Sequence, residues 1–302
     1  MSPDTKPLDD NRPVAVVTGA SAGIGRATAR RFVASGWRVI GVGRDRARAA
    51  DAEVEIRAAA RDGGGFDMLR GDFVRMAEVA RVADEIAAMT ARLDVLINNA
   101  GGVRDRRIVT EEGTEATFAA NHLAPFLLTR ELMPLLEASA ADSPPGTVRV
   151  IAVSSSAHRI TRGLDWDDLQ SLGAFHPTAA YAKAKLATLL FTRELARRAH
   201  PHGITAQAMH PGIVASNFAT HGDRTMREHM AAADTVPPEE PAEMLVWLAT
   251  DAEGGREGGR YFYRGAEETP TDAARDDEAA ARLWIESEKL LADLGFQQAG
   301  HR

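Results

Sequence analysis

Short apolar runs rich in β-branched residues recur along this chain, separated by longer stretches whose apolar positions return every three or four residues. The short runs fall at 14–17, 38–43, 66–71, 93–97, 148–153, 204–209 and 258–262, and each reads as a strand. The longer stretches at 26–35, 46–61, 74–90, 112–137 and 177–199 read as helices. Val79, Val82, Ile86 and Met89 make the apolar stripe of one, and Leu186, Leu189, Leu190 and Leu195 that of another. Strand followed by helix, repeated, implies a parallel sheet covered on both faces. The pattern therefore predicts one α/β domain over 13–302, a doubly wound parallel sheet of about seven strands with helices on both sides.

Polar stretches mark the edges of that pattern. Residues 1–12 carry Pro3 and Pro7 and no apolar core, so they read as a tail, neither secretory leader nor membrane anchor. Residues 216–241 are weakly periodic and end on Pro237, Pro238 and Pro241, which suits a lid over a substrate crevice. A last amphipathic helix, 276–295, carries Leu283, Trp284, Leu290 and Leu291 and either pads the substrate site or meets another subunit.

Composition narrows the picture. With 302 residues, 44% hydrophobic and 26% charged, the chain can bury a sizeable core. A net charge of -7 without any Lys/Arg block argues against nucleic acid and anionic membrane as partners. The absence of cysteine excludes disulfides, thiol catalysis and thiolate metal sites. No apolar run reaches the ~20 residues of a spanning helix. A cytoplasmic location is expected. The acids Asp165, Asp167 and Asp168 lack the spacing of a ligand set and read as a solvated loop, so no metal is expected.

Candidate chemistry begins at the first strand, which runs into Thr18-Gly19-Ala20-Ser21-Ala22-Gly23-Ile24-Gly25 and then a helix. Strand, glycine turn and helix form a seat for a dinucleotide pyrophosphate. Gly19 permits a tight turn, Gly23 lets backbone N–H groups approach the phosphate, and Gly25 lets helix and strand close together. The second strand ends at Gly43-Arg44. An acid there would bind a ribose 2′-hydroxyl, whereas Arg44 can hold a 2′-phosphate, which favours NADP over NAD. Tyr181 and Lys185, four apart on a helix, share a face. An ammonium beside a phenol favours the phenolate, as proton transfer to or from an alcohol requires. Upstream, Ser154, Ser155 and Ser156 end the fifth strand, where side chains line the ligand crevice. Asn121 precedes Pro125, whose missing N–H frees the Asn121 carbonyl. Either a kink there lets Asn121 hold a water, or a helix merely tolerates the asparagine. His158 either touches a substrate or is structural.

Taken in order, the turn 18–25, Asn98-Asn99-Ala100-Gly101, Asn121, Ser155, Tyr181-x-x-x-Lys185 and Pro211-Gly212 resemble the short-chain dehydrogenase/reductase family, from about residue 13 to 262. The glycine spacing is that of its oxidoreductase branch. Segments 153–158, 181–187, 191–196, 210–212 and 259–262 are similar to the retinol dehydrogenase and WW-domain-containing oxidoreductase group. The resemblance implies a Rossmann sheet with Gly19, Ser21, Ala22, Gly23, Ile24 and Gly25 around the pyrophosphate. It implies Asp72 and Phe73 at the adenine, with Asn98, Ala100 and Gly101 on the adenosine side. Pro211, Gly212, Val214 and Ser216 would meet the carboxamide. Tyr181 would exchange the proton, Lys185 would lower its pKa and hold the nicotinamide ribose, Ser155 would polarise the substrate oxygen, and Asn121 would hold a water linking Lys185 to solvent. Members commonly pair through two long helices, so a homodimer or homotetramer is expected.

The resulting expectation is hydride transfer between NADP(H) and a carbonyl or alcohol of a lipophilic small molecule. NAD-linked oxidation of a hydroxysteroid-like or aryl alcohol is the alternative within the class. A non-catalytic NADP-binding redox sensor is the alternative outside it, though a sensor has no need of Ser155, Tyr181 and Lys185 together.

Overall fold

The computed structural model describes residues 12–215 and 222–297. Eight strands form one sheet: β1 (Val14–Thr18), β2 (Arg38–Gly43), β3 (Gly65–Arg70), β4 (Val95–Asn98), β5 (Val148–Val153), β6 (Ile204–Met209), β7 (Tyr261–Tyr263) and β8 (Ala266–Glu267). Their order is β3-β2-β1-β4-β5-β6-β7-β8. The first seven run parallel, and β8 pairs antiparallel with β7. The expected seven strands thus become eight. The extra one is a two-residue hairpin return through Arg264 and Gly265, both at positive φ, the geometry of a tight primed turn. The predicted 258–262 strand starts later, because Gly259 turns at positive φ and Gly258 passes against Ala196.

Side chains alternate across the sheet, so Val14 and Val16 face one layer and Ala15 and Val17 the other. The first layer holds α3 (Met76–Met89), α5 (Ala124–Ala141) and α6 (Pro177–Ala199); the second holds α1 (Gly23–Ala34), α2 (Arg46–Ala58) and α8 (Glu239–Thr250). The sheet is therefore doubly wound. Fully buried rings and branched chains such as Phe32, Ile40, Leu96 and Phe126 each contribute about 1.5–3 kcal/mol of apolar burial.

Three helical details depart from the sequence pattern. Within 112–137, a single turn α4 (Ala116–Phe118) leads into a π-helical turn, Ala119–Leu123, before α5. Pro125 cannot donate to Asn121, and the ladder widens there into the π-helical turn. The 216–241 stretch is not one continuous lid. Residues 216–221 lie outside the described residues; α7 (Arg224–Ala232) follows; then Val236 bridges Val214, and α8 begins at Glu239 and packs on α1. Lastly, α9 (Asp277–Asp293) lies on α6 as a third layer. Among the described residues no helix is long and apolar enough to cross a membrane.

Candidate active site

Strand order reverses between β1 and β4, and a cleft of about 910 Å³ opens there at the carboxyl ends of the strands. Its floor is the turn between β1 and α1. Gly19 (φ 73°) and Gly23 (φ 51°) occupy the left-handed region that glycine favours. A Cβ on Gly25 would stand 2.4 Å from the Gly19 carbonyl oxygen, so only glycine lets the helix close on the turn. Ala22 caps α1 with extended backbone and no side-chain bond, and it lines the cleft with Ser21, Gly23 and Ile24. The first-turn N–H groups of a 12-residue helix, at its positive dipole end, thus face the cleft. That cradle fits the pyrophosphate of a dinucleotide.

Of the asparagine pair at the end of β4, it is Asn99 and not the expected Asn98 whose side chain reaches the cleft. Asn98 is buried beneath the cleft, donating from Nδ2 to Thr129 Oγ1 at 3.0 Å. It cannot serve the adenosine side directly. Asn99 lines the cleft and donates from Nδ2 to the Thr18 carbonyl at 2.8 Å, while Thr18 Oγ1 accepts from the Asn99 and Ala100 N–H groups at 2.9 Å each. Asn99 and Thr18 therefore lock the glycine turn to the β4 loop. Nothing in the sequence separates the two asparagines except strand alternation, which puts neighbouring side chains on opposite sides. Ala100 and Gly101 line the cleft as expected. At its far end stand Arg44, Asp72 and Phe73, with Arg44 Nη1 3.9 Å from Asp72 Oδ1.

The opposite end gathers the proton-handling groups. Tyr181 and Lys185 project from α6, 7% and 5% exposed, and both border the cleft. Tyr181 is hydrogen-bonded by the Ser155 hydroxyl, and that bond lowers the phenol pKa, the effect of a donor to its oxygen. Ser155 Oγ also accepts from the Ala157 N–H at 3.1 Å. Ser154 is buried, borders the cleft and donates to the Lys185 carbonyl at 2.9 Å, while Ser155 reaches the cleft through its bond to Tyr181. Lys185 Nζ donates to the Val153 carbonyl at 2.9 Å and lies 5.6 Å from the Tyr181 ring centroid.

Burial sets the titration here. It pushes the Tyr181 phenol above its ordinary value, with the Ser155 bond opposing. It pulls the Lys185 ammonium down to about 8. At about 8 the lysine is still mostly charged at neutral pH, and the Ser155 hydroxyl supplies the contact that lowers the phenol. Asn121 is held by its side-chain amide. Its Nδ2 donates to the Gly102 and Thr117 carbonyls at 2.7 and 2.8 Å, and its Oδ1 accepts from the Gly102 N–H at 3.2 Å. Both amide hydrogens are engaged, so what Asn121 can offer a water is its carbonyl, which Thr188 Oγ1 approaches to 3.3 Å.

On the remaining wall, Pro211 and Ala215 line the cleft; Gly212 turns at φ 77°, and Val214 is buried in the bridge to Val236. Ser216 lies outside the described residues. His158 is fully buried and does not line the cleft; its Nδ1 stands 2.7 Å from the Ser155 carbonyl. A carbonyl only accepts, so Nδ1 carries the proton and His158 braces the Ser155 backbone. The Asp168 carboxylate accepts from the N–H groups of Leu172, Gly173 and Ala174, closing its loop.

Known proteins share this sequence pattern and fold. The pattern of the short chain dehydrogenase family matches residues 13–227. Retinol dehydrogenase 14 of Homo sapiens is 36% identical over 293 residues, spanning 91% of this chain and 85% of that protein. Polyprenol dehydrogenase of Mus musculus is 38% identical over 293 residues, spanning 95% of this chain and 86% of that protein. The NADP active-site complex of RhlG from Pseudomonas aeruginosa superposes with a TM-score of 0.67 at 27% identity, over 86% of this chain and 98% of that chain. Shared sequence over almost the whole chain, joined to a nicotinamide-type cradle at the sheet's switch point, shows that the chain belongs to the short chain dehydrogenase family, near its retinol dehydrogenases, and is an oxidoreductase acting on CH–OH groups.

Proposed function

We propose that this protein interconverts a lipophilic aldehyde or ketone and its alcohol with NADP(H). The observation that carries the reading is the Ser155–Tyr181 hydrogen bond beside buried Lys185, at the mouth of a cleft whose other end holds an uncapped helix and Arg44. A bound nicotinamide supplies the hydride chemistry. Gly19 to Gly25, Ala100, Gly101 and Asp72 with Phe73 would hold the dinucleotide, with Pro211 and Val214 toward its carboxamide.

The chain's own groups handle the oxygen and the proton. Tyr181 gives its proton to the carbonyl oxygen during reduction and receives one from the alcohol during oxidation. When substrate binds, Ser155 turns its single O–H from the phenol to the substrate oxygen and favours the anionic form there. Lys185, brought down to about 8, exchanges a proton more readily near neutrality than a free lysine and can recharge the phenol. In this reading the Asn121 carbonyl carries that path onward through water. A lipophilic substrate agrees with the names of two relatives, retinol dehydrogenase 14 and polyprenol dehydrogenase.

The test is Tyr181→Phe, assayed by the absorbance of the reduced nicotinamide over a panel of apolar aldehydes and ketones. Turnover is expected to vanish while cofactor affinity, measured by fluorescence quenching, stays within about twofold. Unchanged turnover would reject the assignment.

A further inference from the structure

Arg44 follows β2 and Arg104 follows β4, the two strands that flank β1, so they approach the cleft from both sides of the glycine turn. Together with Val74 they border both the main cleft and an adjoining cavity of about 360 Å³. They therefore form a ridge between the two spaces, with room beyond it for a group larger than a hydroxyl. Their charges are poorly matched. Asp72 sits 3.9 Å from Arg44 and is also the leading favourable charge felt by Arg104. The hydrogen bond Arg104 makes, Nη1 to the Val103 carbonyl at 3.0 Å, leaves most of its fork of donors for another partner. Other cations nearby are answered: Arg75 by Glu111 at 3.5 Å, Arg26 by Glu55 at 3.1 Å and Arg48 by Asp45 at 3.6 Å. Burial, and then the Arg44 charge, push the Arg104 guanidinium below its ordinary value, and both arginines border the same two spaces.

We propose that Arg104 is a second reader of the cofactor's 2′-phosphate, clamping it against Arg44 from the β4 side. This rests on the NADP(H) reading above and deepens it. The glycine turn carries Ala22 and no cation, so the phosphate's second positive partner comes from a different loop. A dianion between the two guanidiniums, which have Asp72 in common, relieves their repulsion and accepts two charge-assisted sets of hydrogen bonds. Arg104 is here a specificity-determining residue: it acts on the phosphorylated cofactor and not on the adenosine common to both cofactors.

The probes are adenosine 2′,5′-bisphosphate and 5′-AMP, which differ in the 2′-phosphate alone, titrated calorimetrically with inorganic phosphate as a further arm. The wild-type chain is expected to bind the bisphosphate more tightly than 5′-AMP, by a margin that shrinks with salt. Arg104→Gln should weaken the bisphosphate about ten- to hundredfold and leave 5′-AMP unchanged, which also certifies the fold. Arg104→Lys should recover part of the loss, and Arg44→Gln should resemble Arg104→Gln. If Arg104→Gln weakens both nucleotides equally, or neither, the clamp is wrong while the NADP(H) reading stands on Arg44. Equal wild-type affinity for the two nucleotides would overturn both. Binding of inorganic phosphate as tight as that of the bisphosphate, lost in Arg104→Gln, would mean a free-anion site and overturn the clamp.

Discussion

His122 shows how a single buried ring ties stability to pH. It is 1% exposed among Phe118, Phe126 and Phe191, with Nε2 2.7 Å from Ser287 Oγ. Ser287 already donates its proton to the Leu283 carbonyl, so Nε2 must be the donor and Nδ1 the unprotonated nitrogen. Nδ1 is buried with no partner, and a proton placed there would be an uncompensated charge. Burial accordingly pulls the His122 pKa from 6.5 to about 3. The unfolded chain takes up this proton more readily than the native one, so the contribution is complete above pH 6.5 and is lost as pH falls toward about 3. At about 1.4 kcal/mol per pKa unit the loss amounts to several kcal/mol. Urea unfolding at pH 7 and pH 4 is expected to show this drop in the wild type and a much shallower one in His122→Gln. Equal drops would assign the acid sensitivity to another group. The residues that the sequence could not rank share a cause with His122. Asn98 or Asn99, and Ser154 or Ser155, are chemically identical pairs whose roles depend on which side of a strand end each side chain leaves.

At the scale of elements, the β1–α1 unit was legible in full, because its glycines are demanded by geometry. A methyl group on Gly25 would lie 2.4 Å from the Gly19 carbonyl oxygen and 2.6 Å from Asn99 Nδ2, closer than atoms tolerate. Gly25→Ala is therefore expected to push α1 off its strand. The cost should be about 1–3 kcal/mol of stability, with a larger proportional loss of ADP binding because the uncapped N–H groups move away from the phosphates. Thermal unfolding and ADP titration check the two effects; ADP affinity at the wild-type level would show that the turn absorbs the methyl elsewhere. Other elements gave less signal. Pro237, Pro238 and Pro241 read as the end of an irregular lid, yet Pro241 sits in the first turn of α8, where a missing N–H breaks no helical bond. The strand β8 is two exposed residues long, too short for any periodicity. The π-helical turn was half visible: Pro125 announced a freed carbonyl, but only packing against Thr188 and Gly102 decides how the backbone accommodates it.

At the scale of the whole molecule, the telling feature is where α9 lies. The resemblance assigns self-pairing to two long helices, and α5 and α6 are the long helices here. Yet α9 crosses the outer side of both. Trp284 lies 4.8 Å from Phe126 of α5 and 6.0 Å from Phe191 of α6, ring to ring, and the Arg198 guanidinium stands 4.5 Å above it. Leu283 and Leu291 are fully buried beneath the helix, Arg130 Nη1 bonds Glu288 at 2.8 Å, and Arg193 pairs with Asp277. Residues 276–295, which the sequence left as either substrate padding or a subunit contact, pack on α5 and α6, the helices that the resemblance would use for self-pairing. A helix–helix face can be buried by one's own chain or by a partner, not by both at once. Light scattering of the full chain is therefore expected to give the mass of one copy, or of an assembly built through another surface. Ending the chain after Arg275 would uncover Phe126, Phe191 and the ground beneath Leu283, an apolar patch large enough to drive association. The truncated chain is expected to self-associate or precipitate, and a Leu283→Ala substitution in the full chain to lose about 2–5 kcal/mol without changing its mass. A full-length dimer whose α5 and α6 amides gain hydrogen-exchange protection on pairing would mean that α9 moves aside, and would overturn this assignment.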